Sequence, residues 1–438
     1  MAPTSHDIGD RRGFVHWLEK RLPLREFIES QLTHYYAPKN LNVWYYFGVL
    51  ALVVLVLQFA TGIVLAMYYK PGETTAFDSV EYIMREVPWG WLIRYTHSTG
   101  ASAFFIIVYL HMFRALLYGS YKPPRELLWI LGMLVYFAMM AEAFMGYVLP
   151  WGNMSYWGAQ VIVSLFGTIP GIGPGLVDWI RSDYGVSEAA LGKFFSLHVV
   201  AVPLALTLLV VLHLVALRTV GSSNPEGVEI KENLGRDGKP IDGIAFHPYH
   251  TVKDLFSVAV FLVVFTAILF FVPTFGGKFL EAENFEPANA ASTPEHIAPV
   301  WYFTPYYAIL RAVPDQRLGA LLMLLAVVSF LFLPWLDRSP VRSIRYKGRL
   351  SRVALTLFAI SFLALGYLGL QPAEGGYITF ARLFTTIYFA FFWLMPVYSK
   401  IETVKGVPER LDGGGVYVSR GFHDHQNPSA NDDRAHGR

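Results

Sequence analysis

Four histidines lie inside two long apolar stretches: His97 and His111 in Trp91–Tyr118, His198 and His213 in Phe194–Leu217. An ionisable side chain in such a stretch is costly and marks a functional site by default. Helical geometry turns the spacing into a layout. At 3.6 residues per turn, the fourteen residues from His97 to His111 return the side chain to within about 40° and carry it roughly 21 Å along the axis. The fifteen residues from His198 to His213 give about 60° and roughly 22 Å. Two such helices side by side offer two facing imidazole pairs, stacked through a bilayer core about 30 Å thick. A planar metal macrocycle with one axial ligand from each helix fits that arrangement, and bis-histidine ligation is a haem mode. One buried histidine is more often a hydrogen-bonded core residue. Two pairs at matching depth favour the ligand reading.

The elements that must position these residues follow from composition. The 438 residues are 54% hydrophobic and 16% charged, with mean hydropathy +0.39, which points to an all-α polytopic membrane protein. A net charge of +2 indicates no particular partner beyond the lipid bilayer, and none is expected among nucleic acids. There is no cysteine, so disulfides, cysteine-ligated iron–sulfur clusters and covalent haem attachment are excluded within this chain. Any such centre must come from another subunit.

Eight spans are expected: Val43–Tyr69, Trp91–Tyr118, Leu127–Leu149, Phe194–Leu217, Leu255–Pro273, Leu318–Trp335, Ser351–Leu370 and Phe380–Lys400. The first four, within 43–217, form the histidine bundle, and 254–400 holds the other four. Residues 1–42 mix Arg11, Arg12, Lys20, Arg21 and Arg25 with Phe14, Trp17, Leu18, Leu22, Phe27 and Ile28, an amphipathic helix for a membrane surface. They carry no cleavable signal pattern, so the first span is expected to direct insertion. The connection Pro150–Lys193 reads as short surface helices, 218–253 as a polar loop, 274–317 as a proline-rich loop, and 401–438 as a polar, disordered tail. Basic residues cluster on the face that holds both termini, which makes that face cytoplasmic. His97 and His198 then lie near the outer face, and His111 and His213 near the inner one.

Other residues share the histidine period. Gly48 and Gly62 are fourteen apart on the first span, as are Gly132 and Gly146 on the third. Small residues are common where membrane helices pack, but two pairs at this period suit a flat ring pressed on a helix backbone. Arg94 lies three residues before His97 and Arg114 three after His111, each towards the nearer membrane face, where it can pair with a haem propionate or with lipid headgroups. Glu142 is the only charge in Leu127–Leu149.

The stretches RYTHSTGASAFF and LHMFRALLYGS around His97 and His111, GYVLPWGNMSYWGAQVI from Gly146, FFSLH ending at His198 and FHPYHTVKD ending at Asp254 resemble cytochrome b, the membrane core of the cytochrome bc complex. The likeness spans about residues 30–400. It implies a four-helix bundle with two non-covalent b-type haems, the outer on His97 and His198 and the inner on His111 and His213. It also implies four further helices, quinol oxidation near the outer face and quinone reduction near the inner one. The implied setting is a bacterial inner membrane, in a homodimeric complex with a Rieske-type iron–sulfur subunit and a c-type cytochrome. The outer quinol site maps onto Phe144, Tyr147, Pro299, Trp301 and Tyr302, and the inner quinone site onto Arg218, Ser222, Lys253 and Asp254.

Three departures stand out. Many relatives space the fourth-helix histidines by fourteen; here Pro203 lies inside a fifteen-residue interval, and a proline-associated distortion can absorb one residue. Arg218 stands where many relatives have a histidine. Val300 replaces a glutamate often proposed to accept a quinol proton, a role that valine cannot fill. Glu142 is expected to take over that role from the opposite wall, with the loop residue Glu295 as the weaker choice. Among other function classes, a proton-coupled transporter using the buried histidines and Glu142 as relays is the alternative; it predicts no visible haem bands.

Overall fold

A computed structural model describes residues 14–22, 24–183 and 185–411. Among these, seven helices are long and apolar enough to cross a membrane: Val43–Tyr68, Gly90–Tyr118, Glu126–Val148, Glu188–Val220, Phe246–Phe271, Gln316–Leu336 and Arg349–Leu368. An eighth span exists only as a bent pair, Gly375–Trp393 and Met395–Ile401, which meet at 57°. Pro396 sits in the first turn of the second piece, where it lacks an N–H to continue the preceding helix. Large apolar side chains such as Val56, Leu204, Val263 and Leu363 face outwards from the spans, as a lipid solvent requires.

Several boundaries differ from expectation. The fourth span begins at Glu188 rather than Phe194, because the polar turn Gly192-Lys193 is carried on the helix ahead of the apolar run. The connection before it holds the helices Asn153–Phe166 and Gly173–Arg181; Tyr156 and Val163 of the first share a buried cluster with Trp151 and with Leu191 of the fourth span. The segment 274–317 is not all loop: Thr304–Arg311 is a helix with Tyr306 and Ile309 fully enclosed, and Pro305 occupies its first turn, where proline is tolerated. Nor is 1–42 one amphipathic helix. Its described part comprises Phe14–Glu19, Leu24–Leu32 and the strand Tyr36–Pro38, which pairs antiparallel with Gly243–Ala245; Arg11 and Arg12 lie outside the described residues. The tail expected to be disordered is docked at its start, where Arg410 Nε donates to Asp242 Oδ2 at 2.8 Å; residues 412–438 lie outside the described residues.

The two sets of spans meet on a polar seam inside an apolar core. Tyr136 Oη lies 2.9 Å from Tyr306 Oη and 3.3 Å from Tyr109 Oη, and the Tyr109 hydroxyl donates to the Tyr302 carbonyl at 2.6 Å. At the end of the sixth span, Asp337 is buried between Lys122 Nζ at 3.2 Å and Lys347 Nζ at 2.5 Å, and accepts from the Tyr121 hydroxyl at 2.7 Å. Burial works to raise its carboxyl pKa, but the two ammonium groups outweigh it and hold the value near about 2. Removing one member of a buried charge cluster costs roughly 3–5 kcal/mol. Asp337→Asn is therefore expected to lower stability against SDS unfolding by that amount. Because the folded pKa lies below the unfolded value of about 3.9, the cluster's stabilisation is present above that value in the wild type and is lost as pH falls towards about 2.

Candidate haem and quinone sites

The first span packs on the second and the third on the fourth, so each histidine helix has a glycine-bearing neighbour. The rings of His97 and His198 have centroids 6.2 Å apart, and those of His111 and His213 are 6.5 Å apart. Two imidazoles bonded to one metal through roughly 2 Å nitrogen contacts stand about 6 Å apart between centroids. Both pairs fit a metal held between them.

The extra residue between His198 and His213 is taken up locally. Leu197–Ala201 forms a π-helical turn, in which the Val202 N–H donates to the Leu197 carbonyl, before the α-helix resumes at Val202 with Pro203 in its first turn. A π-turn inserts one residue into a helix, and proline's missing N–H suits the place where the hydrogen-bond ladder shifts. The fifteen-residue interval therefore presents both imidazoles to the second span.

Hydrogen bonds settle which ring nitrogen is free. His198 Nδ1 donates to the Glu142 carbonyl at 2.9 Å, and a carbonyl can only accept. Thr61 Oγ1 donates to the Leu57 carbonyl at 2.7 Å, so it accepts from His97 Nδ1 at 2.9 Å. Both outer histidines thus leave Nε2 as the lone-pair nitrogen, the usual support for a metal ligand. On the inner pair, Arg114 Nη2 lies 3.5 Å from His111 Nδ1.

The glycines make this possible. A Cβ built on Gly62 would lie 3.2 Å from His97 Cε1, on Gly48 3.4 Å from His111 Cε1, and on Gly132 3.1 Å from His213 Cε1. On Gly146 it would overlap the His198 ring outright. What presses on each glycine is the imidazole edge, where a flat macrocycle was expected. Among the described residues no cluster of three or more His, Cys, Asp or Glu side chains could hold a bare ion. A macrocycle supplying its own nitrogens would need only two further donors, which each facing imidazole pair could offer.

Arg94 lines the same cavity as His97 and His198. Arg114 lies over the Tyr45 ring at 4.8 Å, and its Nε is buried without a hydrogen-bond partner, a donor available to an anionic group. The cavity continues from the outer histidines to Tyr147, Val300 and Tyr302. Tyr302 stacks on Phe105 at 3.9 Å, and Trp301 Nε1 donates to Ser102 Oγ at 3.0 Å, which pins the Pro299–Tyr302 turn to the second span. Phe144 instead meets Phe194 edge-on at 5.7 Å. The Glu142 carboxylate reaches His198 Nδ1, with Oε1 at 3.0 Å, and Glu295 is exposed on its loop.

Of the four residues expected at the inner quinone site, none is hydrogen-bonded or ion-paired to another, while Tyr35 faces both Arg218 and Ser222. Arg218 lies over Tyr35 at 4.1 Å and Phe246 at 5.4 Å, with Nη1 buried and unpartnered. Lys253 Nζ donates to the Tyr249 hydroxyl at 2.7 Å, one helical turn back, so Lys253 and Asp254 form no ion pair. Ser222 Oγ donates to the Ser223 carbonyl at 3.1 Å. Four contributors went unnoticed in the sequence. His250 stacks on Phe246 with ring centroids at 5.7 Å, and Glu281 accepts from the Tyr147 hydroxyl at 3.1 Å. Thr61 and Gln58 could have been found as the polar residues of an otherwise apolar first span; Gln58 Nε2 donates to the His97 carbonyl at 3.0 Å. A loop glutamate carries no such signal.

Comparisons with known proteins cover most of the chain. The family described as "Cytochrome b/b6/petB" matches residues 32–221, and "Cytochrome b(C-terminal)/b6/petD" matches residues 287–389. Cytochrome b of Allochromatium vinosum is 57% identical over 405 residues, covering 91% of this chain and 98% of that protein. Cytochrome b of Rhodospirillum rubrum is 48% identical over 395 residues, covering 90% and 95%. A solved structure titled "Hyperthermophilic respiratory Complex III" superposes with a TM-score of 0.82 at 41% identity, covering 89% of this chain and 99% of that one.

Proposed function

The chain belongs to the cytochrome b family, the haem-carrying membrane subunits of bacterial cytochrome bc complexes, and from that premise we propose how its residues divide the work. It transfers electrons within a bc-type complex as a catalytic subunit of quinol–cytochrome c oxidoreductase. His97 and His198 hold an outer b-type haem, and His111 and His213 an inner one. Each haem, when bound, supplies a one-electron carrier. The π-turn at Leu197–Ala201 and the four glycines set the ligand rings; Arg94 and Arg114 take the propionates. Glu142 supports His198, since its carbonyl and carboxylate both reach Nδ1.

Quinol is oxidised in the outer cavity, where Tyr147, Tyr302 and the turn holding Pro299 orient it and Phe144 packs behind. Quinone is reduced at the inner face near Arg218, with Ser222, Lys253 and Asp254 on the surrounding segments. Opposite faces for the two half-reactions move protons outwards. The partners are a Rieske-type iron–sulfur subunit and a c-type cytochrome, in a homodimeric complex in the bacterial inner membrane with both termini cytoplasmic.

One observation carries this reading: two facing imidazole pairs, the outer opening into the cavity that reaches Tyr302. Quinol-dependent reduction of cytochrome c by the purified complex tests it. We expect reduction with electrons passing through reduced b-type haem. A complex whose b-type absorbance stays silent while quinol is consumed would contradict it.

A further inference from the structure

We propose that Glu281 is the proton acceptor of the quinol pocket, receiving the proton through the Tyr147 hydroxyl and releasing it to water at the outer face. This rests on the reading of the outer cavity as the quinol site. Val300, where a carboxylate was missing, is apolar and buried. Glu142 is engaged with His198, with Oε1 at 3.0 Å, and Glu295 is exposed elsewhere on the loop. Glu281 lies beside the pocket, on the connection that follows the fifth span.

The direction of the Tyr147 hydrogen is fixed by Asn284. The Asn284 Oδ1 accepts from the Ser155 N–H at 2.8 Å, which determines the orientation of the amide. Its Nδ2 then donates to Tyr147 Oη at 2.9 Å and to Glu281 Oε2 at 3.0 Å. With its oxygen already receiving that bond, the Tyr147 hydroxyl turns its own hydrogen to Glu281 Oε2 at 3.1 Å. Tyr147 and Asn284 line the cavity. Glu281 sits behind them, half-buried, followed along the chain by exposed Glu283 and Glu286. The arrangement is a donor, a relay and an acceptor, with water beyond.

The step moves one proton and no electron. A quinol O–H breaks as its proton joins Tyr147 Oη; the Tyr147 O–H breaks as its proton joins Glu281. Tyr147 ends neutral and unchanged, and the carboxylate becomes a carboxylic acid. The electrons of quinol leave by the iron–sulfur subunit and the haem ligand pairs, as proposed above. Glu281 acts through Tyr147 and does not itself touch quinol.

The groups facing Glu281 are the phenols of Tyr147 and Tyr302, the Asn284 amide and the Glu283 carboxylate. Burial raises its carboxyl pKa above the ordinary range, and the Tyr147 and Asn284 hydrogen bonds only partly offset this. The group accepts a proton only above the raised value. Quinol oxidation should therefore climb as pH rises through it.

The test is the pH–rate profile of quinol:cytochrome c turnover in the purified complex, with haem content measured alongside. Glu281→Gln keeps the size and an acceptor for Tyr147. We expect full haem content, turnover lower by about a hundredfold or more, and no acid limb. Tyr147→Phe, which retains the ring, should lose the same limb. The double variant should be no slower than the worse single one, since residues in one relay are non-additive. Wild-type turnover and an intact acid limb in haem-loaded Glu281→Gln or Tyr147→Phe overturn the proposal alone. So does an acid limb lost in Glu142→Gln and kept in Glu281→Gln. A wild-type complex with both haems and no quinol oxidation overturns the functional reading, and the proposal with it.

Discussion

Replacing His198 with a non-ligand residue is expected to halve the haem content, from two per chain to one, and to reduce quinol-dependent cytochrome c reduction to background. His97 variants should show the same loss. His111 and His213 variants should keep the outer haem and lose the inner one. The pairing follows from the ring separations of 6.2 and 6.5 Å, and among the described residues no group of three or more His, Cys, Asp or Glu side chains competes for a metal. The outer pair has both Nδ1 atoms donating to oxygens, which preorganises Nε2. The effect is large because a site with two axial ligands loses half its protein bonds at once. Haem quantification and difference spectra of the four variants check this result. Equal loss of both haems from every variant would show that the pairs are not separate sites.

Adding one methyl group to the glycines should give a graded series. Gly146→Ala is expected to expel the outer haem, because the new methyl would overlap the His198 ring. Gly132→Ala and Gly62→Ala place it at 3.1 and 3.2 Å from Cε1 of His213 and His97, so those rings must yield by a few tenths of an ångström. Gly48→Ala, at 3.4 Å from His111 Cε1, is ordinary contact and should be tolerated. Overpacking of this kind costs roughly 1–3 kcal/mol, or about five- to 150-fold in haem affinity. The spectra should therefore show the outer haem lost in Gly146→Ala and both haems retained in Gly48→Ala. Haem retention in the opposite order would contradict the imidazole-on-glycine packing.

How far the sequence could be read depended on the range of the forces involved. Histidine and glycine periods sit on single helices, where a fixed rise and twist convert spacing into placement. The matching partners, Gly146 with His198 and Gly62 with His97, then follow from which helices pack. Spans are equally local, because every residue of a lipid-facing helix must be apolar. Boundaries were harder. Glu188 and Lys193 are charged yet helical, since the fourth span continues beyond the apolar run. The π-turn at His198 was only hinted at by Pro203 and the fifteen-residue interval. Thr304–Arg311 was hidden among prolines that turn out to sit at a helix start.

The polar contacts were the least legible. Glu142 stood out as a lone charge in an apolar span, yet its reach to His198 depended on how the third and fourth spans pack. Glu281 lies in an acidic loop, where a carboxylate is unremarkable, and its partners Tyr147 and Asn284 are 134 and 3 residues away. Lys253 and Asp254 looked like an acid–base pair by adjacency alone. Neighbours in a helix point about 100° apart, and Lys253 reaches Tyr249 instead.

Each chain is expected to carry two separate haems, one per histidine pair. Redox titration of the purified protein, with haem quantified against the polypeptide, tests it most directly. Two non-covalent b-type haems per chain are expected, titrating as two one-electron components, with one component absent in a His198 variant and the other in a His213 variant. A single component at one haem per chain, or a protein without b-type absorbance, would contradict it.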